Sequence, residues 1–175
     1  MGGRDWTNAL VEGTAYGEVR IYDVRSSSRR PVSSWTSDDV DGGGGRRITA
    51  LCRAGTDGDV LVVGNAIGDV RLLDLRRTSS DLGRLVGPGG SVRQLVSSPN
   101  DPNVVACVGL DRRLYTWDLG KANGGKRGIA TGCAYLKQRL NCVMFCDDVD
   151  EDDDRSRAEA GNKAGGGGDI PLVTR

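Results

Sequence analysis

The sequence predicts an all-β protein, and three observations support this prediction. Gly is common, with 27 residues among 175, while aromatic residues make up only 5%, which suits a turn-rich β protein better than a helical bundle. The phrase "GTAYGEVRIYDVR" at residues 13–25 returns as "GNAIGDVRLLDLR" at residues 64–76. A third, looser copy, "GLDRRLYTWDL", covers residues 109–119.

The three copies share an early glycine and an aspartate that closes a strand-like run. The aspartates Asp23, Asp74 and Asp118 lie 51 and 44 residues apart, and Asp118 directly follows Trp117. A propeller blade takes roughly 40–45 residues, and Trp-Asp is the diagnostic dipeptide of one propeller class. The repeats therefore predict a WD40 β-propeller, with an insert at residues 37–47 that lengthens the first interval.

Each blade of such a propeller contains four strands, and the second blade is the most complete in the sequence. Residues 60–63 are a continuous apolar run, which is typical of a strand covered on both faces. Gly68 can adopt a positive φ in the hairpin that follows. We predict second-blade strands at residues 49–53, 60–64, 70–75 and 84–86.

The third blade and both ends of the chain extend this pattern. A further innermost strand is predicted to begin at Leu140, in "LNCVMF". At the other end, "NALVEG" supplies only the second strand of a blade, because too little chain precedes it. We predict third-blade strands at residues 92–96, 104–109 and 114–119 and in an outer stretch near 129–136.

The chain is therefore expected to be a partial WD40 propeller, of about three to three and a half blades, at residues 7–146, whereas closed propellers need four to eight blades. One bare blade face would forgo about 6–15 kcal/mol, if it leaves four or five apolar side chains in water. Because whole domains are stable by only about 5–15 kcal/mol, we expect a fragment of a longer propeller or completion by another chain. Residues 147–175, acidic and then Gly-rich, predict a disordered tail.

The chain contains no histidine, which argues against most hydrolases. Ser/His/Asp and Cys/His nucleophile pairs, His-containing zinc sites and the usual general base near neutral pH are all missing. The five cysteines show no C-x-x-C spacing, and we interpret them as buried thiols in a reduced interior. We predict no catalytic, cofactor-binding or metal-binding residues and no enzymatic activity.

Basic pairs are the candidates for partner binding. The charges of the whole chain balance, with 24 basic and 24 acidic residues, but propeller loops gather at two rims, where basic side chains could form a patch for RNA phosphates or an acidic protein surface. Ordinary solvated surface charge is the alternative. No aromatic platform accompanies the pairs, so sequence-specific RNA recognition is not expected. The candidates are Arg29, Arg30, Arg112, Arg113, Lys137 and Arg139.

Other residues are predicted to have structural roles in turns and repeats. Asp111, in the turn of "GLDRRL", should accept hydrogen bonds from nearby backbone N–H groups. The acidic block at residues 147–154 either binds basic partners or is a self-repelling tail. No apolar run approaches the roughly 18–20 residues of a bilayer span, so we expect no membrane partner. The structural set is Gly13, Asp23, Gly64, Gly68, Asp74, Gly109, Asp111, Trp117 and Asp118.

Three stretches resemble one family more closely than they resemble WD repeats in general. They are the basic step Arg29-Arg30-Pro31, residues 107–113 with their Gly-Leu-Asp-Arg core, and residues 135–142, "YLKQRLNC". In this order they are similar to the nucleolar WD-repeat proteins of large-ribosomal-subunit assembly, the WD repeat-containing protein 74 family. The resemblance covers about residues 7–148, and the last stretch is its most specific part.

This resemblance implies a seven-bladed propeller that acts as a non-enzymatic scaffold of ribosome biogenesis in the nucleus and nucleolus. It would assemble the large (60S) subunit and support rRNA processing, with pre-60S ribosomal proteins, rRNA and AAA-type ATPase release machinery as partners. The acidic tail departs from the family, whose members tend to end in a basic segment. The alternatives are a WD-repeat interaction adaptor of another nuclear complex and an enzyme built on a propeller.

Overall fold

The computed structural model describes residues 8–36, 45–77, 81–122 and 127–146. Within these ranges twelve strands form three separate sheets, blades I, II and III. The chain divides into a unit of residues 1–145, which contains all three blades, and a unit of residues 146–175, of which only Cys146 is described. The predicted tail at 147–175 and most of the predicted insert therefore lie outside the described residues.

Blade I has three strands, β1 (Ala9–Gly13), β2 (Glu18–Asp23) and β3 (Ser33–Thr36), in the order β1-β2-β3. All pairs are antiparallel. β1 begins one residue after the start of the first described range, so the prediction that no inner strand precedes it remains a prediction. The short turn between β1 and β2 is closed by Gly17, whose φ is 80°, a value that favours glycine.

Blade II contains the predicted four strands, β4 (Ile48–Ala54), β5 (Val60–Asn65), β6 (Val70–Asp74) and β7 (Asp81–Val86). They pair antiparallel in chain order. Residues 61–65 of β5 are all buried, because neighbouring blades cover both faces of this strand. Gly68 has a φ of 94° in the β5–β6 hairpin, as predicted.

Blade III contains β8 (Val92–Ser97), β9 (Val104–Gly109), β10 (Arg113–Asp118) and an outer strand, β12 (Gly132–Tyr135). The predicted outer stretch near 129–136 begins too early. Residues Arg127–Ile129 instead form β11, which pairs parallel with β7 of blade II. A helix at Leu119–Ala122 follows β10, and a 3-10 turn at Leu75–Arg77 follows β6.

The strand predicted to begin at Leu140 is absent, because residues 136–146 carry no strand. The segment nevertheless lies beside blade III, where the Val143 N–H donates to the side-chain Oε1 of Gln94 over 2.8 Å. An inner strand needs a second strand of its own blade for its backbone groups to pair with. No such strand lies next to this segment in the described part of the chain.

Two apolar clusters hold the blades together. Blades I and II share a cluster in which Val19 and Ile21 meet Leu61, Val63 and Leu73. A larger cluster joins blades II and III and is centred on Val62, Val105 and the fully buried Trp117. This stacking of twisted sheets, face to face, is the arrangement of propeller blades. None of the described helices is long and apolar enough to span a membrane.

The register between strands shows how the repeats align in space. Gly13 pairs with Val19, Gly64 with Val70, and Val108 with Leu114. Val108 rather than Gly109 is therefore the counterpart of Gly13 and Gly64. A Cβ at Gly13 would lie 2.5 Å from Ile48 Cγ2, and one at Gly64 would lie 2.7 Å from Val92 Cγ1, so these glycines let the first strand of the next blade approach.

Candidate interaction surface

The antiparallel strands send successive connections to opposite edges of each blade, so the blades have two rims. One edge, here the upper rim, comprises residues 14–18, 45–47, 66–69, 87–91, 110–113 and 135–139. The opposite edge, here the lower rim, comprises residues 23–32, 55–59, 74–77, 98–103 and 118–122.

Backbone hydrogen bonds join neighbouring segments of the upper rim, and one of them links blade I to blade II. The Thr14 carbonyl of blade I accepts from Ile48 N–H over 3.0 Å, and Ala66 N–H donates to the Arg47 carbonyl over 2.9 Å. Leu110 N–H donates to Ser91, and Leu136 N–H donates to the Arg112 carbonyl over 2.9 Å. These bonds hold the turns of blades II and III to neighbouring segments of the same blade and link blade I to blade II at the upper rim.

Charge is distributed unequally between the two rims. The described upper rim has six basic residues, Arg46, Arg47, Arg112, Arg113, Lys137 and Arg139, against three acidic ones, Glu18, Asp69 and Asp111. The lower rim has six of each sign, with Arg25, Arg29, Arg30, Arg76, Arg77 and Lys121 against Asp23, Asp57, Asp59, Asp74, Asp101 and Asp118. Among the described residues, the upper rim is therefore the more basic of the two, although the formal net charge of the whole chain is zero.

The basic residues of the upper rim concentrate at blade III, around Tyr135. The Cζ atoms of Arg112 and Arg113 lie over the Tyr135 ring, 5.4 and 5.6 Å from its centre, in cation–π contact. Lys137 follows two residues later, beyond the Leu136 N–H that bonds to Arg112. We call Arg112, Arg113, Tyr135 and Lys137 the rim cluster; the cationic members are exposed, and Tyr135 retains 49% of its surface.

The backbone of the rim cluster is unusual at two of its four residues. Arg112 has a φ of 65° and Lys137 a φ of 64°, and they are the only non-glycine residues with positive φ among those described. Arg112 occupies the turn position that Gly17 and Gly68 fill in the other blades. Left-handed conformations of bulky residues are uncommon and often mark functional positions.

Asp111 holds the turn that carries the two arginines. Its Oδ1 accepts from the Arg113 N–H over 3.2 Å, and its Oδ2 accepts from the Gly89 N–H over 3.1 Å and from the Tyr115 hydroxyl over 2.9 Å. Burial, followed by this bond to Asp111, raises the pKa of Tyr115 to about 12, so the phenol remains a donor at neutral pH. Asp111 thus stabilises the conformation of the turn.

The other three predicted basic residues are divided between the two rims. Arg139 is exposed on the upper rim, two residues beyond Lys137. Arg29 and Arg30 are exposed in the β2–β3 connection, on the lower rim. The structure therefore brings Arg112, Arg113 and Lys137 together and separates them from the pair at 29–30.

Sequence reasoning missed the exposed apolar side chains of the upper rim. The sequence also gives no indication that Tyr135 contacts both arginines of the rim cluster. Tyr16 and Ile67 occupy the same turn position in blades I and II, and they are 79% and 54% exposed. The repeat alignment places these two residues at equivalent positions, so the signal was present in the sequence.

The lower rim also has a pocket, of about 280 Å³, between blades II and III. Its acidic lining residues Asp57 and Asp59 pair with Arg76, which comes within 3.3 Å of Asp57. These carboxylates are already engaged within the chain. Among residues 8–36, 45–77, 81–122 and 127–146, no group of three or more Cys, Asp or Glu is arranged to hold a metal ion.

Most predicted structural residues make local backbone contacts. Asp23, Asp74 and Asp118 each accept from the N–H two residues later, over 2.9, 2.8 and 3.0 Å. Trp117 donates from Nε1 to the Val86 carbonyl over 3.2 Å and stacks on Tyr115. These contacts lie at the ends of β2, β6 and β10 and attach blade III to the outer strand of blade II.

Comparison with known proteins matches the chain to WD-repeat proteins. It is 34% identical over 154 residues to WD repeat-containing protein 74 of Bos taurus and of Homo sapiens, covering 88% of this chain and 36% of each relative. Identity to the Mus musculus protein of the same name is 35% over 136 residues, which is 78% of this chain and 32% of the relative. The chain thus spans about a third of the length of these relatives. No protein-family model matches it.

Proposed function

Because this chain belongs to the family of WD repeat-containing protein 74, we propose that it acts as a non-enzymatic scaffold in ribosome biogenesis. In this role it assembles the large (60S) subunit and supports rRNA processing, in the nucleolus. Its partners are proteins of the pre-60S particle, rRNA and an AAA-type ATPase that releases it. Family membership is the observation that carries the proposal.

The surface features of the chain support a scaffold role. The upper-rim turns of the three blades make backbone hydrogen bonds to neighbouring segments. The rim cluster combines arginine and tyrosine, which are enriched among the residues that dominate binding energy at protein interfaces. A scaffold needs such a fixed surface and no reacting groups.

Co-sedimentation tests the proposal. A tagged full-length protein that contains this chain is expected to travel with pre-60S particles on a sucrose gradient and to concentrate in the nucleolus. The double variant R112G/R113Q should reduce the particle-bound fraction, whereas R29Q/R30Q on the lower rim should leave it unchanged. A protein found neither in pre-60S particles nor in the nucleolus would instead be an adaptor of another nuclear complex.

A further inference from the structure

We infer that the upper rim binds an acidic segment of a partner protein that also carries apolar side chains. This inference rests on the scaffold role proposed above and names the chemistry of the partner. It is based on three features of the described rim. These are the stacked arginines of the rim cluster, the exposed apolar side chains in the turns of the other two blades, and the excess of positive charge.

The stacked arginines favour oxyanion groups. A guanidinium that lies over an aromatic ring keeps its N–H donors directed to the side, in the plane that matches a carboxylate or a phosphate. Both guanidiniums lie over Tyr135, so the ring positions the arginines and offers less surface to a nucleic-acid base. Lys137 adds a third cation next to this pair.

The exposed apolar side chains of the upper rim favour a protein partner over a nucleic-acid partner. Tyr16, Ile67 and Leu136 expose 79%, 54% and 47% of their surface on the same rim. Aliphatic side chains such as Ile67 and Leu136 gain free energy by covering apolar surface of a partner, whereas interfaces with nucleic acid are more polar and more basic. A peptide with alternating acidic and apolar residues matches both parts of the rim.

The charge pattern also argues against a long polyanion. Five or more consecutive phosphates would need cations along the whole rim. The described cations concentrate at blade III, with only Arg46 and Arg47 near blade I. A short acidic segment at blade III, continuing with apolar residues toward blades I and II, avoids this conflict.

Fluorescence anisotropy with the purified chain tests the inference, using three labelled probes. The first is a twelve-residue peptide in which Asp and Glu alternate with Leu, the second replaces each Leu by Ser, and the third is the RNA U12. We expect the first peptide to bind most tightly. R112G/R113Q should weaken its binding by about tenfold, as losses of interfacial charge pairs do, and K137N should weaken it by several-fold. Arg112→Gly restores the residue that the equivalent turns of blades I and II contain, and Asn tolerates positive φ, so these variants should fold.

Two further variants separate the parts of the rim. R29Q/R30Q removes an exposed arginine pair from the lower rim and should change the affinity less than about twofold. Y16S/I67S should lower the affinity for the Leu-containing peptide by at least about threefold and leave the affinity for the Ser-containing peptide unchanged. Circular dichroism and thermal unfolding check that every variant is folded.

Three results would overturn the inference. The first is equal affinity of the Leu-containing acidic peptide for R112G/R113Q and for the parent chain, and the second is a loss of affinity in R29Q/R30Q as large as that in R112G/R113Q. The third is tighter binding of U12 than of this peptide, with the same dependence on Arg112 and Arg113. The last result would assign the rim to RNA. Failure of co-sedimentation with pre-60S particles concerns the cellular role instead, because the peptide measurement requires no particle.

Discussion

At the scale of single residues, the repeated aspartates show why the repeats could be found in the sequence. Asp23, Asp74 and Asp118 each bond to the N–H two residues later, which is a contact between neighbours in the chain. Such local bonds need a particular residue type at a particular position. The same aspartate therefore recurs in each copy, although the blades otherwise differ.

The cysteines are a residue-scale correction and lead to a prediction. Cys107 is fully buried and Cys52 half-buried, as expected of buried thiols, but Cys133, Cys142 and Cys146 are exposed. Burial raises the pKa of both Cys52 and Cys107 to about 12. Because the thiolate is the nucleophile, only about one in ten thousand of these groups is reactive at pH 8.

Iodoacetamide at pH 8 should therefore alkylate three cysteines of the native chain rapidly, Cys52 slowly and Cys107 only after unfolding. Intact mass spectrometry over time counts the labels, and peptide mapping assigns them. A control in guanidinium chloride should take up all five labels. Rapid labelling of Cys107 under native conditions would contradict the core between blades II and III.

At the scale of elements, the strands differ in how far the sequence predicts them. The second strands of blades II and III, β5 and β9, are covered on both faces. Their apolar runs are therefore continuous, and the sequence predicts both strands to within a residue. The outer strands are short and partly exposed, and such strands carry little pattern. β11 was missed as a separate strand for this reason, and because its partner β7 belongs to another blade.

Blade packing gives a prediction for Gly64. A Cβ there would lie 2.7 Å from Val92 Cγ1 and 3.1 Å from Leu95 Cδ1, in the fully buried contact between β5 and β8. Overpacking of a core typically costs about 1–3 kcal/mol. Gly64→Ala should therefore lower the free energy of unfolding by that amount, as measured by urea denaturation followed through tryptophan fluorescence.

Gly89→Ala is the matched control for Gly64→Ala. An added Cβ at Gly89 would meet no atom within 4 Å, and the Gly89 N–H can still donate to Asp111. This variant should change the free energy of unfolding by less than about 0.5 kcal/mol. Equal effects of the two substitutions would mean that close approach of β8 is not the reason for glycine at position 64.

At the scale of the whole molecule, the outward side of blade I differs from the sequence-based estimate. Val11 and Ile21 face blade II, whereas the alternate residues Leu10, Glu12 and Arg20 face away from it. This outward face carries an exposed Leu10 beside an ion pair of Arg20 with Glu18. This face is mixed rather than apolar. The free energy that a bare blade face forgoes, when it is estimated from four or five apolar side chains in water, is therefore too large for this side of the chain.

The three blades should therefore differ in local stability. Blade II is covered on both sides by its neighbours, and β9 of blade III is almost fully buried. Blade I has three strands and alternates half-buried and exposed residues along β1. Regions with fewer buried contacts open at lower free energy.

Hydrogen exchange measured by mass spectrometry checks this order. Peptides that cover β1 to β3 should exchange at least about tenfold faster than those that cover β5 and β9. Gly64→Ala, which disturbs the contact between blades II and III, should accelerate β5 and β9 most. Identical exchange rates in all three blades would show one cooperative unit instead.

The sequence by itself determined the repeated strands, the aspartates that end them and the lack of histidine chemistry, because these depend on residue types and on contacts between near neighbours. Only the tertiary structure decided which basic residues lie close together. In the sequence, Arg29-Arg30 and Arg112-Arg113 are equivalent pairs. Because antiparallel strands send successive loops to opposite edges, one pair lies on the balanced lower rim and the other joins Tyr135 and Lys137 on the basic upper rim.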